Sequence, residues 1–472
     1  MIIKTPIRYT LLYIALLVFV ACNEHDSYST SPRHILTFSQ DTLQLDTIFT
    51  GISTSTHLLK VYNRNKQALS VSSIELADAR NSGFRINVDG LKGSNFANVE
   101  IPGKDSLYIF VEATPERHNQ DAPFLIKDSI IFVTNGVVQD IKLLAFGQNA
   151  TVLKGKVIEQ DTTFTAQSPI LVYDSICVAP HATLTLEAGT RLFFHAGAGM
   201  KVHGRLDANG NIARPIVFRG DRTDNLFTDL PYDRLPGQWE GVRFSKSSYG
   251  NTLNYVDIHG GNFGVQCDSS LLDQTKLLMT NSKISQVTTN AVAMVHSKAT
   301  FANTEISNAG NNCVMLLGGD YEFVHCTLAN YYSWGTRKGA ALAFSNEKDG
   351  TKYALMNASF RNCIVAGSSD DEVLGSKSDN EEIPFNNFFS HCLVNSTEES
   401  GEGIENVVWA KDDHFILNDR EKQLYNFGLD AQSAAIDIGS QSIALSYPTD
   451  RLGVSRVSDE APDAGCYEWA GE

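Results

Sequence analysis

The sequence predicts an all-β chain in which a sandwich of short strands is followed by a solenoid of stacked parallel strands. Three observations carry this. Among 472 residues there are 35 Gly, 25 Phe and 16 Tyr and only 19% charged residues, a mixture that suits strands and turns and is too apolar for a disordered chain. Short apolar runs alternate with turn residues from Arg33 to Asn149. The second half repeats itself: the tetrapeptides ending at Ile284, Ile306 and Leu328 follow one another at equal steps of 22 residues, and such self-similarity is the mark of a repeat architecture. The length also exceeds the ~250–300 residues at which a single core stops growing.

Lys4 and Arg8 precede an apolar run from Leu11 to Ala21. That run is too short to span a bilayer, for which ~20 residues are needed, and has the length of an export signal. It stops at Phe19-Val20-Ala21-Cys22, which resembles the lipobox of bacterial lipoproteins, with Phe19 in place of the usual Leu. The resemblance implies cleavage before Cys22, diacylglycerol on its sulfur and anchorage to a membrane through acyl chains. The following Asn23-Glu24-His25-Asp26 and the Ser/Thr-rich stretch to Pro32 read as a tether. Their acidic start is similar to the surface-export signals of Bacteroidetes lipoproteins, which implies the outer membrane and leaves open which side the protein faces. The expected organisation is a signal peptide at 1–21, a tether at 22–32, a sandwich at 33–150, a parallel β-helix at 151–430 and a capping segment at 431–472.

Seven strands are expected in the sandwich: Ile35 to Phe38, Leu58 to Tyr62, Leu69 to Val71, Phe84 to Val88, Leu107 to Val111, Ile130 to Val133 and Ile141 to Ala145. Their number and spacing fit an immunoglobulin-like fold. The segments Phe38 to Phe49, Phe84 to Gly90 and Asp128 to Gln148 resemble the N-terminal sandwich of Bacteroidetes surface lipoproteins that precedes a parallel β-helix. Asp-Ser/Thr-apolar triplets at Asp41, Asp46, Asp105, Asp128 and Asp174 are similar to the O-glycosylation motif of exported Bacteroidetes proteins. Turn chemistry explains them as well, because each falls where a strand is expected to begin.

In the second half the repeat Asn281-Ser282-Lys283-Ile284, Asn303-Thr304-Glu305-Ile306 and His325-Cys326-Thr327-Leu328 continues at Asn362-Cys363-Ile364-Val365 and His391-Cys392-Leu393-Val394. The longer steps there leave room for inserted loops at Tyr331 to Gly350 and Ser368 to Pro384. Alternation places Cys326 with Leu328, Cys363 with Val365 and Cys392 with Val394 on one face, taken as the inner one. The thiols are expected to be reduced core residues, since in-register neighbours have poor disulfide geometry; the pairing state of Cys177, Cys267, Cys313 and Cys466 stays open. Leu184 to Phe194, Met200 to Leu206, Arg214 to Phe218 and Trp239 to Phe244 resemble the opening coils of the pectate-lyase-like superfamily. Ala434 to Gly439 and Pro462 to Glu468 are similar to the closing segment of many such bacterial helices. The resemblance implies a right-handed parallel β-helix.

A net charge of −16, without a long basic cluster, argues against specific nucleic-acid binding. No zinc spacing is present. For hydrolysis, which needs gathered carboxylates, Asp257, His259, Asp370 and Asp371 are the candidates. For a lyase, Arg337 and Lys338 are candidate bases, with Asp379, Glu381 and Glu382 as calcium ligands; calcium is conceivable there but not indicated, and no cofactor is expected. Turns and exposed loops account for these residues without chemistry. His181, His195, His203, His296 and His325 are scattered singly. Tyr331, Tyr332 and Trp334 are candidates for stacking on sugar rings, although packing of the loop onto the coil accounts for them at least as well. The expectation is a lipid-anchored envelope protein that binds a polysaccharide or another surface ligand without catalysis; a polysaccharide lyase or hydrolase and a structural stalk or adhesin are the alternatives.

Overall fold

A computed structural model describes residues 27–471 apart from 120–121, 398–399, 412 and 459–460. The signal segment, Cys22 and the first part of the tether lie outside the described residues. The chain divides into two compact units between Asn149 and Ala150.

The first unit is an immunoglobulin-like β-sandwich of two five-stranded sheets. One sheet has the order Thr37–Phe38, His57–Tyr62, Ser106–Ala113, Phe84–Val88, Leu91–Gly93, and the other Thr42–Phe49, Val137–Gln148, Phe124–Thr134, Leu69–Leu76, Asn95–Ile101. All neighbours are antiparallel except Thr42–Phe49, which runs parallel to Val137–Gln148. Alternation does the folding work: Leu59, Val61, Ile109 and Val111 from one sheet meet Leu45, Val71, Ile74, Phe132 and Leu143 from the other in one buried core. At the Asp89-Gly90 and Asn135-Gly136 turns both residues have positive φ (50° and 85°, 52° and 77°), as tight right-twisted hairpins require. Ten strands form where seven were expected. Two of the additional ones, Leu91–Gly93 and Asn95–Ile101, are largely exposed sheet edges, where no apolar alternation is needed to hold them.

The second unit is a parallel β-helix with three strands in each full coil. One coil consists of Leu277–Thr280, Lys283–Val287 and Val292–Val295, the next of Lys298–Ala302, Glu305–Ala309 and Val314–Leu317, and each strand pairs in parallel with its counterpart. Ten strands stack in the first of the three sheets, from Thr162–Phe164 to Ile404–Glu405. In the second sheet Ile284, Ile306, Leu328, Val365 and Val394 are direct register partners, so the repeat read in the sequence is the coil itself. The spans thought to be whole insertions each contain a strand of the third sheet, Leu342–Ser345 and Val373–Ser376.

Inside, like stacks on like. The rings of Phe301, Phe323, Phe360 and Phe389 are nearly parallel, with centroids 4.7, 4.9 and 4.8 Å apart, which is the spacing of hydrogen-bonded strands. Cys326, Cys363 and Cys392 line the same interior, fully buried and free. Successive thiols are linked, the Cys326 amide donating to Cys363 Sγ and the Cys363 amide to Cys392 Sγ, both at 3.4 Å. Cys177, Cys267, Cys313 and Cys466 are free as well.

The corner between first and second sheets explains the Asn and His that open each repeat. Asn281, Asn303, His325, Asn362 and His391 all have φ between 48° and 52°, a left-handed conformation that Asn, Asp and His adopt more readily than most residues. Their side chains also bond up the stack: Asn303 donates to Asn281 Oδ1 at 3.1 Å, and Asn362 to His325 Nε2 at 3.1 Å.

The C-terminal segment was expected to cover an end of the solenoid. It lies along the flank instead, against successive coils. Phe415, Phe427, Leu429, Ala435, Ala464 and Cys466 form one cluster with the outward side chains Ala329, Ile364, Ala366 and Leu393. The Gly465 amide donates to the Asn362 carbonyl at 2.8 Å; its φ is 97°, and a Cβ there would come within 2.7 Å of Ile364 and 2.8 Å of Thr327. The reason for this placement is apolar surface: outward positions of the second sheet from Ala329 on carry carbon and need a cover.

Phe323→Ala removes the middle of the aromatic stack and is expected to destabilise the solenoid by about 3–5 kcal/mol. Urea unfolding followed by tryptophan fluorescence measures this; a midpoint equal to that of the parent chain would contradict the packing described.

Candidate functional site

Two outward rows of the second sheet build the site. In the first, Asp257, Lys283 and Glu305 are register partners, followed by Thr327, Ile364 and Leu393; in the second, His259, Ser285 and Ser307 are followed by Ala329. The early coils therefore present charge and hydroxyls, and the later coils present carbon. The C-terminal hairpin, Phe415–Asp419 with Leu424–Leu429, covers part of the apolar rows, and Gln423, Tyr425 and Phe427 form one wall of a cleft of about 220 Å³ over the polar rows.

The opposite wall comes from the loop between Arg219 and Trp239. Its short 3-10 turn, Tyr232–Arg234, is held down by Gln238 Nε2, which donates to the carbonyls of Tyr232 at 2.5 Å and Leu235 at 2.8 Å. The turn returns Asp233 to the sheet. There His259 is clamped between two carboxylates, Nδ1 at 3.0 Å from Asp257 Oδ1 and Nε2 at 3.0 Å from Asp233 Oδ1, while Arg219 pairs with Asp233 at 2.5 Å. Further along, Lys283 pairs with Glu305 at 3.1 Å, and the Tyr467 hydroxyl donates to Glu305 at 2.6 Å.

Electrostatics follow from this pairing. Burial alone would lower the His259 pKa, but the charge of Asp257 and the hydrogen bonds to Asp233 and Asp257 outweigh it and raise it to about 9. For Asp257 burial pushes upward, and the charge and hydrogen bond of His259, then Lys283 and Arg451, hold it at about 2. Asp233 is likewise held below the usual carboxylate range, and Lys283 above the usual range for lysine, burial opposing each shift. His259 is thus a cation at neutral pH with both ring nitrogens donating, and both aspartates are ionised. Neither carboxyl is poised as the proton donor that glycoside hydrolysis requires, and Lys283 stays protonated and cannot serve as a lyase base. What the cleft offers is a row of hydrogen-bonding groups whose charges are already matched.

Of the residues singled out in the sequence, only Asp257 and His259 meet here. Arg337 is locked to buried Glu372 by two bonds, 2.9 Å from Nη1 and 2.7 Å from Nη2. Glu372 also accepts the amides of Ala341 and Ser369, each at 2.7 Å, so the pair fastens a loop and offers no free base. Lys338 is exposed. Asp370 is 91% exposed, 3.8 Å from Lys411. Asp371 accepts the Thr397 amide and hydroxyl at 2.6 Å. Tyr331 and Tyr332 are buried, Tyr331 against Phe415 and Phe427, and Trp334 is half-buried; of the two readings of these rings, packing between loop, hairpin and coil is the one the structure shows, and the sugar platform is not formed. Asp379, Glu381 and Glu382 are exposed, and among the described residues no group of three or more His, Cys, Asp or Glu is arranged to hold a metal ion. His325 is buried in the corner ladder, and His195 bonds Asp221 at 2.7 Å. Asp233 carries no local signal in the sequence, because only the fold brings its loop beside His259, 26 residues away.

A raised folded-state pKa means that His259 contributes stability in full below its ordinary pKa of 6.5 and loses it as pH rises through about 9. The depressed Asp257 behaves oppositely, its contribution being present above 3.8 and lost as pH falls toward 2. The urea midpoint is therefore expected to fall between pH 6.5 and 9 in the parent chain, and to fall less in His259→Gln. Equal slopes in the two proteins would show that the clamp does not form.

No protein-family model matches the chain, and no curated protein does. Among solved structures it is similar, over 26% of its length and 89% of the other chain's, to an ASH/PapD-like domain of human CEP192, at 8% identity and a TM-score of 0.18. Over 24% of its length and 26% of the other's it is similar to a family 123 glycoside hydrolase from Clostridium perfringens, at 9% identity and a TM-score of 0.17. Likenesses of this size carry no inference about function.

Proposed function

We propose that this chain is a lipid-anchored envelope protein, of the kind found in the outer membrane of Bacteroidetes, that binds a glycan in the cleft on the second sheet and leaves it uncleaved. The observation that carries the binding role is the cleft itself, where Ser285, Ser307, Gln286, Asn308 and Gln423 lie beside matched charges and the ring of Tyr425. Hydroxyl-rich ligands are recognised by such convergent donors and acceptors next to a ring face. Asp233 accepts from Arg219 and His259 through Oδ1; its side chain is 46% exposed, leaving it accessible to sugar hydroxyls. The anchoring role rests on Lys4, Arg8, the run Leu11 to Ala21 and the cysteine that follows it.

Cells fed an alkyne-tagged fatty acid are expected to label the parent chain and not Cys22→Ser; equal labelling of both would remove the anchor from this reading. For the cleft, the chain freed of its signal segment is to be incubated with a glycan panel, scoring retention together with new reducing or unsaturated ends. Retention without product is expected. Asp233→Asn removes a charged acceptor and should weaken binding about 10- to 100-fold, the worth of one charge-assisted hydrogen bond. Appearance of product would overturn the non-catalytic reading in favour of a lyase or hydrolase, and absence of retention across the panel would leave the stalk or adhesin in its place.

A further inference from the structure

The sandwich contains a cleft of its own. Its two sheets end in the edge strands Leu91–Gly93 and Asn95–Ile101, joined through Ser94, and beside this crossing a cavity of about 640 Å³ opens, within the ~300–1,000 Å³ of small-molecule sites. Its floor is carbon: Leu76, Phe84 and Ile86, at 7%, 2% and 3% exposure, all line it. Its rim is basic. Arg80, Arg85 and Lys92 line the same cleft, opposed by a single carboxylate, Glu112. Glu112 sits 3.6 Å from Arg85, and among the described residues Arg80 and Lys92 make no ion pair. An excess of positive charge here runs against the −16 of the whole chain. Asn87 adds a side-chain amide whose oxygen is buried without a hydrogen-bond partner; turned end for end, the amide would present its N–H groups instead.

An apolar floor beneath a cationic rim is complementary to one kind of molecule, a chain of methylenes ending in an acid. A neutral sugar would leave the floor unused, and a bare inorganic anion would gain nothing from Phe84 and Ile86. We propose that this cleft binds a free long-chain carboxylate, with its tail over Leu76, Phe84 and Ile86 and its head among Arg80, Arg85 and Lys92. The site belongs to the sandwich and stands independently of the cleft on the solenoid.

Titration calorimetry on the chain from residue 22 onward, with Cys22→Ser and both folded units present, tests this with dodecanoate below its micelle-forming concentration. One-to-one binding is expected, tightening about fourfold for each methylene added between octanoate and dodecanoate, the equivalent of ~0.8 kcal/mol per CH₂. Dodecyltrimethylammonium should bind at least tenfold more weakly, and Arg80→Glu/Lys92→Glu, two exposed changes away from the core, should lower dodecanoate affinity at least tenfold while leaving thermal unfolding unchanged. Absence of dodecanoate binding, equal binding of the cationic amphiphile, or unaltered affinity in the double variant would each overturn the proposal. Retention of the protein by phosphatidylglycerol vesicles without dodecanoate binding would assign the basic rim to a bilayer surface, and so overturn it too.

Discussion

The solenoid depends on one constraint, that each coil place the same kind of side chain over its counterpart at the spacing of hydrogen-bonded strands. Parallel pairing sets the interval, and the interior then fills by repetition: Phe on Phe, Cys on Cys, and Ile284 through Val394 in a continuous aliphatic row. A coil has no core alone. Its apolar surface is buried by the coils above and below, so stability is built from neighbour contacts in the way of other repeat proteins. The corner residues make the repetition possible, because a chain that must turn at the same place in every coil needs a residue that accepts positive φ there and can still bond to the coil beside it.

The same logic divides the outer face. Along the second sheet the outward rows pass from Asp257, Lys283 and Glu305 to Ile364 and Leu393, and that change decides what lies over them. The C-terminal hairpin and the segment around Ala464 cover the carbon, and Tyr467 of that segment also closes over Glu305; Asp257 and Lys283 stay partly open. The cleft is thus the uncovered remainder of one surface, walled where the hairpin stops and where the loop bearing Asp233 comes back. Its ionised groups satisfy one another, which keeps them tolerable in a half-buried place and leaves them in fixed protonation states across the neutral range.

Much of the architecture was legible. Equal steps of 22 residues identified the coils and their register, because a solenoid writes its geometry into a period. Alternation placed Cys326, Cys363 and Cys392 inside for the same reason. The edge strands Leu91–Gly93 and Asn95–Ile101 were not legible, since they are largely exposed and carry no apolar pattern, whereas Thr42–Phe49 went uncounted although Leu43 and Leu45 alternate inward. The site was legible only in part: Asp257 and His259 are two residues apart on one strand and share its outward face, so a local motif showed them. Asp233 comes from a loop whose return depends on Gln238 and the turn at Tyr232, which no local pattern announces. The aromatic run at Tyr331 left two readings open, a sugar platform or packing, because composition cannot say whether a ring faces water or Phe415.

The C-terminal segment ties together parts of the chain that lie far apart in sequence. Tyr467 bonds to Glu305 across 162 residues of chain, and the amides of Gly465 and Cys466 donate to the Asn362 carbonyl and the Thr327 hydroxyl. The outward side chains Ala329, Ile364, Ala366 and Leu393 are thus covered by Ala435, Ala464 and Cys466, which no neighbouring coil supplies. With the segment around Ala464 removed, that stripe of carbon would face water, so the fitness of the solenoid's surface rests on residues far from it in sequence.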